Sequence, residues 1–254
     1  MAAGGMIFIG QSRSGKTTGV DVVEERLRKD GYIPIRFDDK DYLMSEAIMD
    51  MRGKDLTLGK IETDKTVILN PEVARKEPRK LQLIFKDGRL LNTAHRKIMH
   101  DIGDALRDGE RRTVVLADLA YGTDVSFGNG REQLLQSGRQ FVRWFVEYGI
   151  MDRHDVLVRE ITAPFNVRAQ RNELSAERIE TKEFALLFPD IGRDGRGFFA
   201  VDRMMLGDKL RHIDNGRISL ETYLHTVHGD YETNFRPRLD GEGRDTGLGP
   251  RARR

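Results

Sequence analysis

The chain contains no cysteine among its 254 residues. This absence excludes disulfide bonds, metal sites held by thiolates and cysteine nucleophiles, and it fits a reducing environment. The sequence also lacks an apolar run long enough to cross a membrane, and it shows no N-terminal secretory signal. We therefore expect a cytoplasmic protein with no membrane partner, whose oligomeric state the sequence leaves open.

Neither sign of charge is in large excess, because 43 Lys and Arg residues stand against 41 Asp and Glu residues, for a formal net charge of +2. The overall charge therefore does not indicate a polyanionic partner, and any argument for nucleic acid must come from local residues. Hydrophobic residues make up 38% of the chain. At this length, that content is enough to bury a sizeable core.

Short apolar segments alternate with segments of helical periodicity, which is typical of a parallel sheet covered by helices. The predicted strands are Met6 to Ile9, Tyr32 to Phe37, Thr113 to Ala117 and Val156 to Ile161. A further helix is expected to start at Pro164, after the last of these strands. The pattern predicts an α/β fold, a three-layer sandwich with a central parallel sheet.

The predicted domain covers residues 1–234 and contains an insertion at about 52–92. Two β-prone segments in the insertion, Thr66 to Leu69 and Leu81 to Phe85, are each followed by turn residues, which predicts a hairpin or flap. A polar segment at about 173–195 is predicted to form a lid. The last residues, 235–254, are rich in Gly, Pro and Arg and are predicted to be a disordered tail.

The stretch IFIGQSRSGKTT places the pattern G-x-x-x-x-G-K-[ST] between an apolar strand and an amphipathic helix. Such a phosphate loop (P-loop) points backbone N–H groups into one concavity at a helix N-terminus, where they bind the phosphates of a nucleotide triphosphate. We expect Lys16 to contact the β and γ phosphates and the Thr17 hydroxyl to ligate Mg²⁺. The predicted nucleotide-binding residues are Gly10, Ser12, Arg13, Ser14, Gly15, Lys16, Thr17 and Thr18. The expected cofactors are ATP and Mg²⁺, although the sequence does not separate ATP from GTP.

The strand VVLAD ends in Asp118, a candidate ligand of Mg²⁺ through water or a partner of Thr17. Leu119 follows it, at the place where motor and remodelling ATPases usually have a carboxylate that activates water. The sequence also lacks Asn-Lys-x-Asp for guanine and the Leu-Ser-Gly-Gly of transporters. These absences favour phosphoryl transfer to an acceptor hydroxyl over hydrolysis.

The second predicted strand ends in the acidic cluster Asp38, Asp39 and Asp41. In an open α/β sheet the carboxyl ends of neighbouring strands face one crevice, so this cluster and the phosphate loop are expected to meet there. One of the three aspartates would receive the proton of the acceptor hydroxyl, and the sequence does not decide which. The alternative is a solvated turn that caps the next helix.

Three arginines follow the fourth strand. Arg168 and Arg171 are three residues apart and are expected to share a helix face, with Arg178 further along in the predicted lid. Guanidinium groups there would neutralise charge on the transferring phosphoryl group, and Arg168 would contact the nucleotide. The alternative is an exposed charged helix.

With GQSRSGKTT, DDKDY, VVLAD and RAQRN in place, the chain resembles the P-loop kinases related to polynucleotide 5′-hydroxyl kinases and zeta-toxin-like kinases. The resemblance covers about half of the chain, and only the phosphate loop is highly specific. It implies a nucleotide kinase-like P-loop NTPase fold, a proton-accepting aspartate among Asp38, Asp39 and Asp41, and lid arginines at Arg171 and Arg178. The acidic cluster has an extra residue between its carboxylates, and the insertion has no counterpart in that group.

The leading hypothesis is an ATP-dependent kinase that phosphorylates a hydroxyl of a nucleic acid or nucleotide, either a 5′-hydroxyl end or a hydroxymethylated base in DNA. The last of these would make it a DNA-modifying enzyme of the phage hydroxymethylpyrimidine kinase type. Its support is the resemblance and a basic series in the flap, Arg75, Lys76, Arg79 and Lys80. A second hypothesis is a small-molecule kinase acting on a nucleoside, sugar or antibiotic. A third is a nucleotide-dependent switch or binding module.

Overall fold

The computed structural model describes residues 2–86, 89–121, 130–153, 155–175, 182, 184–185, 188, 200–201 and 203–241. Five parallel strands form its main sheet in the order β2-β6-β1-β7-β8. These strands are β1 (Gly4–Gly10), β2 (Ile33–Asp38), β6 (Thr113–Ala120), β7 (Val156–Thr162) and β8 (Leu210–Asp214). Parallel strands need crossover connections, and helices supply them.

The helices that accompany the sheet are α1 (Lys16–Lys29), α2 (Asp39–Asp50), α3 (Arg89–Asp108), α4 (Gly130–Glu147), α5 (Phe165–Glu173), α6 (Arg203–Leu206), α7 (Leu220–Asp230) and α8 (Arg236–Leu239). A short π-helical turn, Tyr231–Phe235, joins the last two. Helix α1 ends at Lys29, and Gly31 adopts a left-handed φ of 81° just after it, which helps to terminate the helix.

Alternating residues of β1 enter two separate cores, one on each face of the sheet. Ile7 and Ile9 pack in the core that includes Phe141 of α4 and residues of α3. Met6 and Phe8 pack on the opposite face, in the core that holds α1 and α7. Because helices cover both faces, every residue of β1 is buried. The structure thus confirms the predicted three-layer α/β sandwich with a central parallel sheet.

The segment between α2 and α3 forms a separate antiparallel sheet with the order β3-β4-β5. Its strands are β3 (Ile61–Glu62), β4 (Thr66–Ile68) and β5 (Leu83–Phe85), so β4 and β5 coincide with the two β-prone segments of the sequence. Residues of this segment share a small core of their own with one residue of α2 and with its C-cap: Met44, Met51, Ile61, Ile68, Ala74 and Leu81. We call residues 52–86 the flap.

Several strand boundaries differ from the sequence-based expectation by one to three residues, and α3 begins at Arg89, inside the predicted insertion of about 52–92. Strand β6 continues past Asp118 to Ala120, because Leu119 is also buried. Pro164 lies before the first helical residue of α5 as its N-cap. The predicted tail begins too early, since Phe235 is fully buried beside Tyr231 and residues Arg236–Leu239 are helical. The part of the tail after residue 241 lies outside the described residues, as does most of the predicted lid.

Among the helices of the described residues, none is both long and apolar enough to cross a membrane.

Candidate nucleotide-binding and phosphoryl-transfer site

The predicted phosphate loop connects β1 to α1, and two of its positions require glycine. A Cβ on Gly10 would lie 2.2 Å from the Ile161 carbonyl oxygen of the neighbouring strand. Gly15 has φ 105°, and a Cβ there would lie 2.1 Å from Asn215 Nδ2. Arg13 adopts a positive φ of 63° within the same turn. The loop therefore has the tight backbone that lets amides converge on an anion.

Lys16, Thr17 and Asp118 form a connected group at the mouth of this loop. Thr17 Oγ1 donates a hydrogen bond of 2.6 Å to Asp118 Oδ2. Lys16 Nζ lies 3.7 Å from Asp118 Oδ1 and donates to the Gln11 carbonyl oxygen at 3.2 Å. Both Lys16 and Asp118 are buried. The strand-end carboxylate therefore meets the loop hydroxyl, as the sequence predicted for one of its two roles.

Three side chains from distant elements hold the back of the loop through its carbonyl oxygens. Arg171 Nη1 donates to Arg13 O and Ser14 O, each at 3.2 Å. Asn215 Nδ2 donates to Ser14 O at 2.8 Å, and the Tyr223 hydroxyl donates to Gly15 O at 2.8 Å. Because these carbonyls point toward the protein, we call Arg171, Asn215 and Tyr223 the loop support.

The loop support is internally connected and mostly shielded from solvent. Arg171 Nη2 donates to the Asn215 backbone oxygen at 2.9 Å, which joins α5 to the segment after β8. Burial lowers the pKa of Arg171. Burial, and after it the charge of Asp118, raises the pKa of Tyr223, so its hydroxyl keeps its proton and remains a donor. These bonds fix the loop before any ligand arrives.

The residues present fit a magnesium-bound nucleotide triphosphate. Ser14 Oγ and Gln11 Nε2 are buried and have no hydrogen-bond partner among the described residues. Buried polar atoms of this kind normally pair, so an anion in the loop would satisfy groups that the protein leaves unpaired. Ser12 and Thr18 are partly buried at either side of the loop. Thr17 and Asp118 are the residues that would hold Mg²⁺, directly and through water respectively.

Asp38 lies beside Asp118 on the same face of the sheet, since the two residues are register partners in β2 and β6. Burial raises the pKa of Asp38 to about 6, and the charges of Asp39 and Asp118 add to the shift. Its Oδ1 accepts a hydrogen bond of 3.0 Å from the Lys40 amide and so caps α2. The carboxylate is thus held in position and has the basicity of a general base.

Asp39 faces the other side of the sheet and is buried there. Its Oδ2 accepts a hydrogen bond from the Ala120 amide, which ties α2 to the end of β6. His95 Nε2 of α3 lies 3.6 Å from the same oxygen, with its ring 4.7 Å from that of Phe141. These contacts give Asp39 a structural position, away from the phosphate loop.

Asp41 is exposed and pairs with Arg79 of the flap. Arg79 Nε and Nη2 donate to the two Asp41 oxygens at 2.6 and 2.5 Å. Arg79 Nη2 also lies 3.6 Å from Asp38 Oδ2. The flap therefore places a cation over the acidic cluster, and Asp38 is the aspartate that faces both this cation and the phosphate loop.

Arg168 does not share the surroundings of Arg171. Its side chain is 1% exposed, its Nε donates to Ala163 O at 3.0 Å, and its guanidinium carbon lies 5.6 Å from the Phe165 ring centre. The prediction that Arg168 contacts the nucleotide therefore disagrees with its place in the core. Residues three apart on a helix are offset by about 60°, which is enough to turn one inward.

Arg178 lies outside the described residues, and its role in a lid stays a prediction.

Sequence reasoning missed Asn215 and Tyr223 in the loop support. Each is separated from its loop partner by about two hundred residues, namely 201 for Asn215 and 208 for Tyr223. A polar residue directly after a strand on the loop side of the sheet was the available signal for Asn215. Tyr223 lies within an apolar helical stripe and offers no such signal.

No family model matches the chain, and no curated protein matches it. Among solved structures it is similar to a sugar kinase from Janibacter sp. HTCC2649, with 12% identity, a TM-score of 0.45, and coverage of 91% of this chain and 96% of the other. It is also similar to the APS kinase CysC of Mycobacterium tuberculosis in complex with AMPPNP and APS, with 13% identity, a TM-score of 0.42, and coverage of 91% and 98%. A gluconokinase from Sinorhizobium meliloti 1021 has 15% identity, a TM-score of 0.37, and coverage of 95% and 93%. At such scores the likeness carries no functional argument, so the interpretation of the site rests on its own geometry.

Proposed function

We propose that this protein is an ATP-dependent phosphotransferase that moves the γ-phosphoryl group to an alcohol. The observation that carries the proposal is the position of Asp38. It combines a pKa of about 6 with a place beside Asp118, the carboxylate that holds Thr17 of the phosphate loop. A base near the operating pH, next to a triphosphate site, suits the removal of a proton from an acceptor hydroxyl.

The same geometry favours an alcohol over water or a phosphate as the acceptor. The residue after Asp118 is the buried, apolar Leu119, so no carboxylate occupies the usual place of a water-activating group. A phosphate acceptor is already an anion near neutral pH and needs no base. It would also be repelled by Asp38 and Asp118, which are register partners in β2 and β6. A neutral hydroxyl, by contrast, needs a base to remove its proton and is not repelled by these carboxylates.

In the proposed reaction the loop amides and Lys16 bind the phosphates and neutralise the charge that moves with the phosphoryl group. Mg²⁺, when bound at Thr17 and Asp118, supplies further neutralisation of the phosphate oxygens. Asp38 orients the acceptor hydroxyl and takes its proton as the new oxygen–phosphorus bond forms, while the bond between the γ-phosphorus and the bridging oxygen of the β-phosphate breaks and ADP leaves. The loop support keeps the amides in place, so little reorganisation is needed during transfer.

For the acceptor, we propose a nucleic acid or nucleotide hydroxyl, supported by exposed cations of the flap. Arg75 and Lys76 are exposed in the flap segment that also carries Arg79, the partner of Asp41. Cations of this kind bind phosphate groups of a polymer. The flap therefore offers a surface for nucleic acid next to the proposed base.

A small-molecule acceptor is the second candidate, and the pairing of the other two flap cations favours it. Arg79 is bound to Asp41, and Lys80 pairs with Glu77. Cations that are neutralised within the protein attract a polyanion less. In this candidate the flap covers a compact pocket above Asp38.

The test is incubation of the protein with radiolabelled ATP and Mg²⁺, in parallel with oligonucleotides that carry 5′-hydroxyl ends or hydroxymethylated bases and with a panel of nucleosides, sugars and antibiotics. Label in an oligonucleotide supports the nucleic-acid acceptor, and label only in a small molecule supports the second candidate. Release of phosphate with no labelled acceptor in any arm contradicts the kinase proposal. Lys16→Ala should abolish transfer, whereas Lys29→Ala, an exposed lysine at the end of the same helix, should leave it intact.

A further inference from the structure

A second polar cleft is lined by residues of β7, β8 and α6, together with residues of the π-helical turn and α8. Its volume is about 430 Å³, within the range of small-molecule sites. Four arginines line it, together with one carboxylate, one imidazole and one amide: Arg159, Arg203, Arg211, Arg238, Asp208, His212 and Asn234. Leu157 and Leu210 contribute an apolar wall.

Two carboxylates pair with arginines of this cleft. Asp208 pairs with Arg238 at 2.9 Å. Asp230, buried behind the cleft, accepts hydrogen bonds from Arg159, from Arg211 at 2.9 Å and from Asn234 at 2.9 Å. Asp208 and Asp230 thus hold three of the arginine side chains in place around the cleft.

The two most exposed cations of the cleft are the first that an incoming ligand would meet. The Arg211 side chain is 50% exposed, and Arg203 is exposed as well. Arg159 lies at the base of the cleft and is nearly fully buried. Burial lowers the pKa of Arg159, Asp230 opposes that shift, and the like charges of Arg211 and Arg238 lower the pKa further. An anion in the cleft would relieve this repulsion between neighbouring cations.

The cleft is separate from the phosphate loop. Arg211 lies near the start of β8, whereas Asn215, which supports the loop, follows the end of that strand. Four residues of β-strand span about 13 Å. The proposed transfer reaction uses no residue of the cleft, so its charge calls for another explanation.

We propose that this cleft is a second anion-binding site, which takes the phosphate groups of a polyphosphate or of a nucleic acid backbone. Guanidinium groups bind phosphate oxygens in pairs and hold them in a fixed geometry. The four guanidinium groups that line the cleft suit a ligand with more than one negative charge. The apolar wall of Leu157 and Leu210 leaves room for a part of the ligand that carries no charge.

The proposal is tested by calorimetric titration of the intact protein with inorganic tripolyphosphate in magnesium-free buffer. Two binding events are expected for the wild-type protein, one at the phosphate loop and one at the cleft. Lys16→Ala should remove the first, and the double variant Arg203→Gln/Arg211→Gln should remove the second. Each arginine that contacts phosphate is expected to contribute about tenfold in affinity.

Controls distinguish loss of the site from loss of the fold. Arg143→Gln changes an exposed arginine of α4 and should leave both events unchanged. Arg203→Glu, a change at an exposed residue, should weaken only the cleft event, by at least about tenfold. Survival of the loop event in each cleft variant shows that the protein is folded. A single event in the wild-type protein, or a second event that persists in the double variant, would overturn the proposal.

A second experiment distinguishes a nucleic acid from a free polyphosphate as the natural ligand. It measures the binding of a labelled single-stranded DNA oligonucleotide by fluorescence anisotropy. If the natural ligand is a nucleic acid, the oligonucleotide binds, tripolyphosphate displaces it, and the double variant weakens its binding. If the ligand is a free polyphosphate, only tripolyphosphate binds at the cleft. Binding of the oligonucleotide that is equal in the wild-type protein and the double variant, with no second calorimetric event, contradicts both.

Discussion

Replacement of Asp38 by Asn should make the protein more stable while it removes phosphoryl transfer. The Asp38 side chain is 14% exposed, and its pKa rises from 3.8 to about 6 through burial and the charges of Asp39 and Asp118. Two units of pKa correspond to about 3 kcal/mol of preference for the uncharged form. Asn keeps the shape and can still accept the hydrogen bond from the Lys40 amide that caps α2.

The increase in the free energy of unfolding caused by Asp38→Asn should be larger at high pH than at low pH. Because the pKa of Asp38 is raised in the folded state, the native protein binds this proton more tightly than the unfolded chain does. That contribution is fully present below pH 3.8 and is lost as the pH rises through about 6. At about pH 8 we therefore expect Asp38→Asn to raise the free energy of unfolding by about 1 to 3 kcal/mol, and below about pH 4 the difference should approach zero.

Urea denaturation at several pH values measures this difference, and the radiolabel assay measures transfer on the same samples. Asp41→Asn is the matched control, because Asp41 is an exposed partner of Arg79 and should cost no more than about 1 kcal/mol. In the wild-type protein, transfer should fall about tenfold for each pH unit below 6. The reasoning is refuted if Asp38→Asn is less stable than the wild type at neutral pH, or if it retains normal transfer.

Two further predictions concern the loop support. Arg171→Ala should weaken nucleotide binding and lower the free energy of unfolding by about 1 to 3 kcal/mol, since the carbonyl oxygens of Arg13, Ser14 and Asn215 lose a donor. Calorimetry and urea denaturation check this, and a change in turnover alone, with nucleotide affinity intact, would contradict it. Tyr223→Phe removes only the bond to Gly15 O, so a cost of about 0.5 to 1.5 kcal/mol is expected. A variant as stable as the wild type would show that this bond does not hold the loop.

The phosphate loop and four of the five strands of the main sheet were predictable because each depends on local signals, whereas β8 was not predicted. A glycine pattern between a strand and an amphipathic helix specifies the turn from neighbouring residues alone. The topology of a parallel sheet then brings the ends of β2 and β6 to the same edge. For this reason Asp38 lies beside Asp118, and Asp118 accepts a hydrogen bond from Thr17 of the loop.

The choice among the three aspartates was not predictable from the sequence. It depends on which face of the sheet each side chain occupies at the point where β2 ends and α2 begins. Asp38 faces the loop, Asp39 faces α3, and Asp41 reaches the flap through Arg79. The prediction that Arg168 contacts the nucleotide was wrong for a similar reason, because periodicity does not show which side of a short polar helix packs against the core.

The central claim is that the loop before α1 binds a magnesium-nucleotide, with Lys16 as its principal cation. Calorimetric titration of the wild-type protein with a non-hydrolysable ATP analogue and Mg²⁺ tests it most directly. The account predicts saturable uptake at the loop that is lost in Lys16→Ala and retained in Lys29→Ala. Absence of any uptake by the wild-type protein, or uptake that Lys16→Ala leaves unchanged, would contradict it.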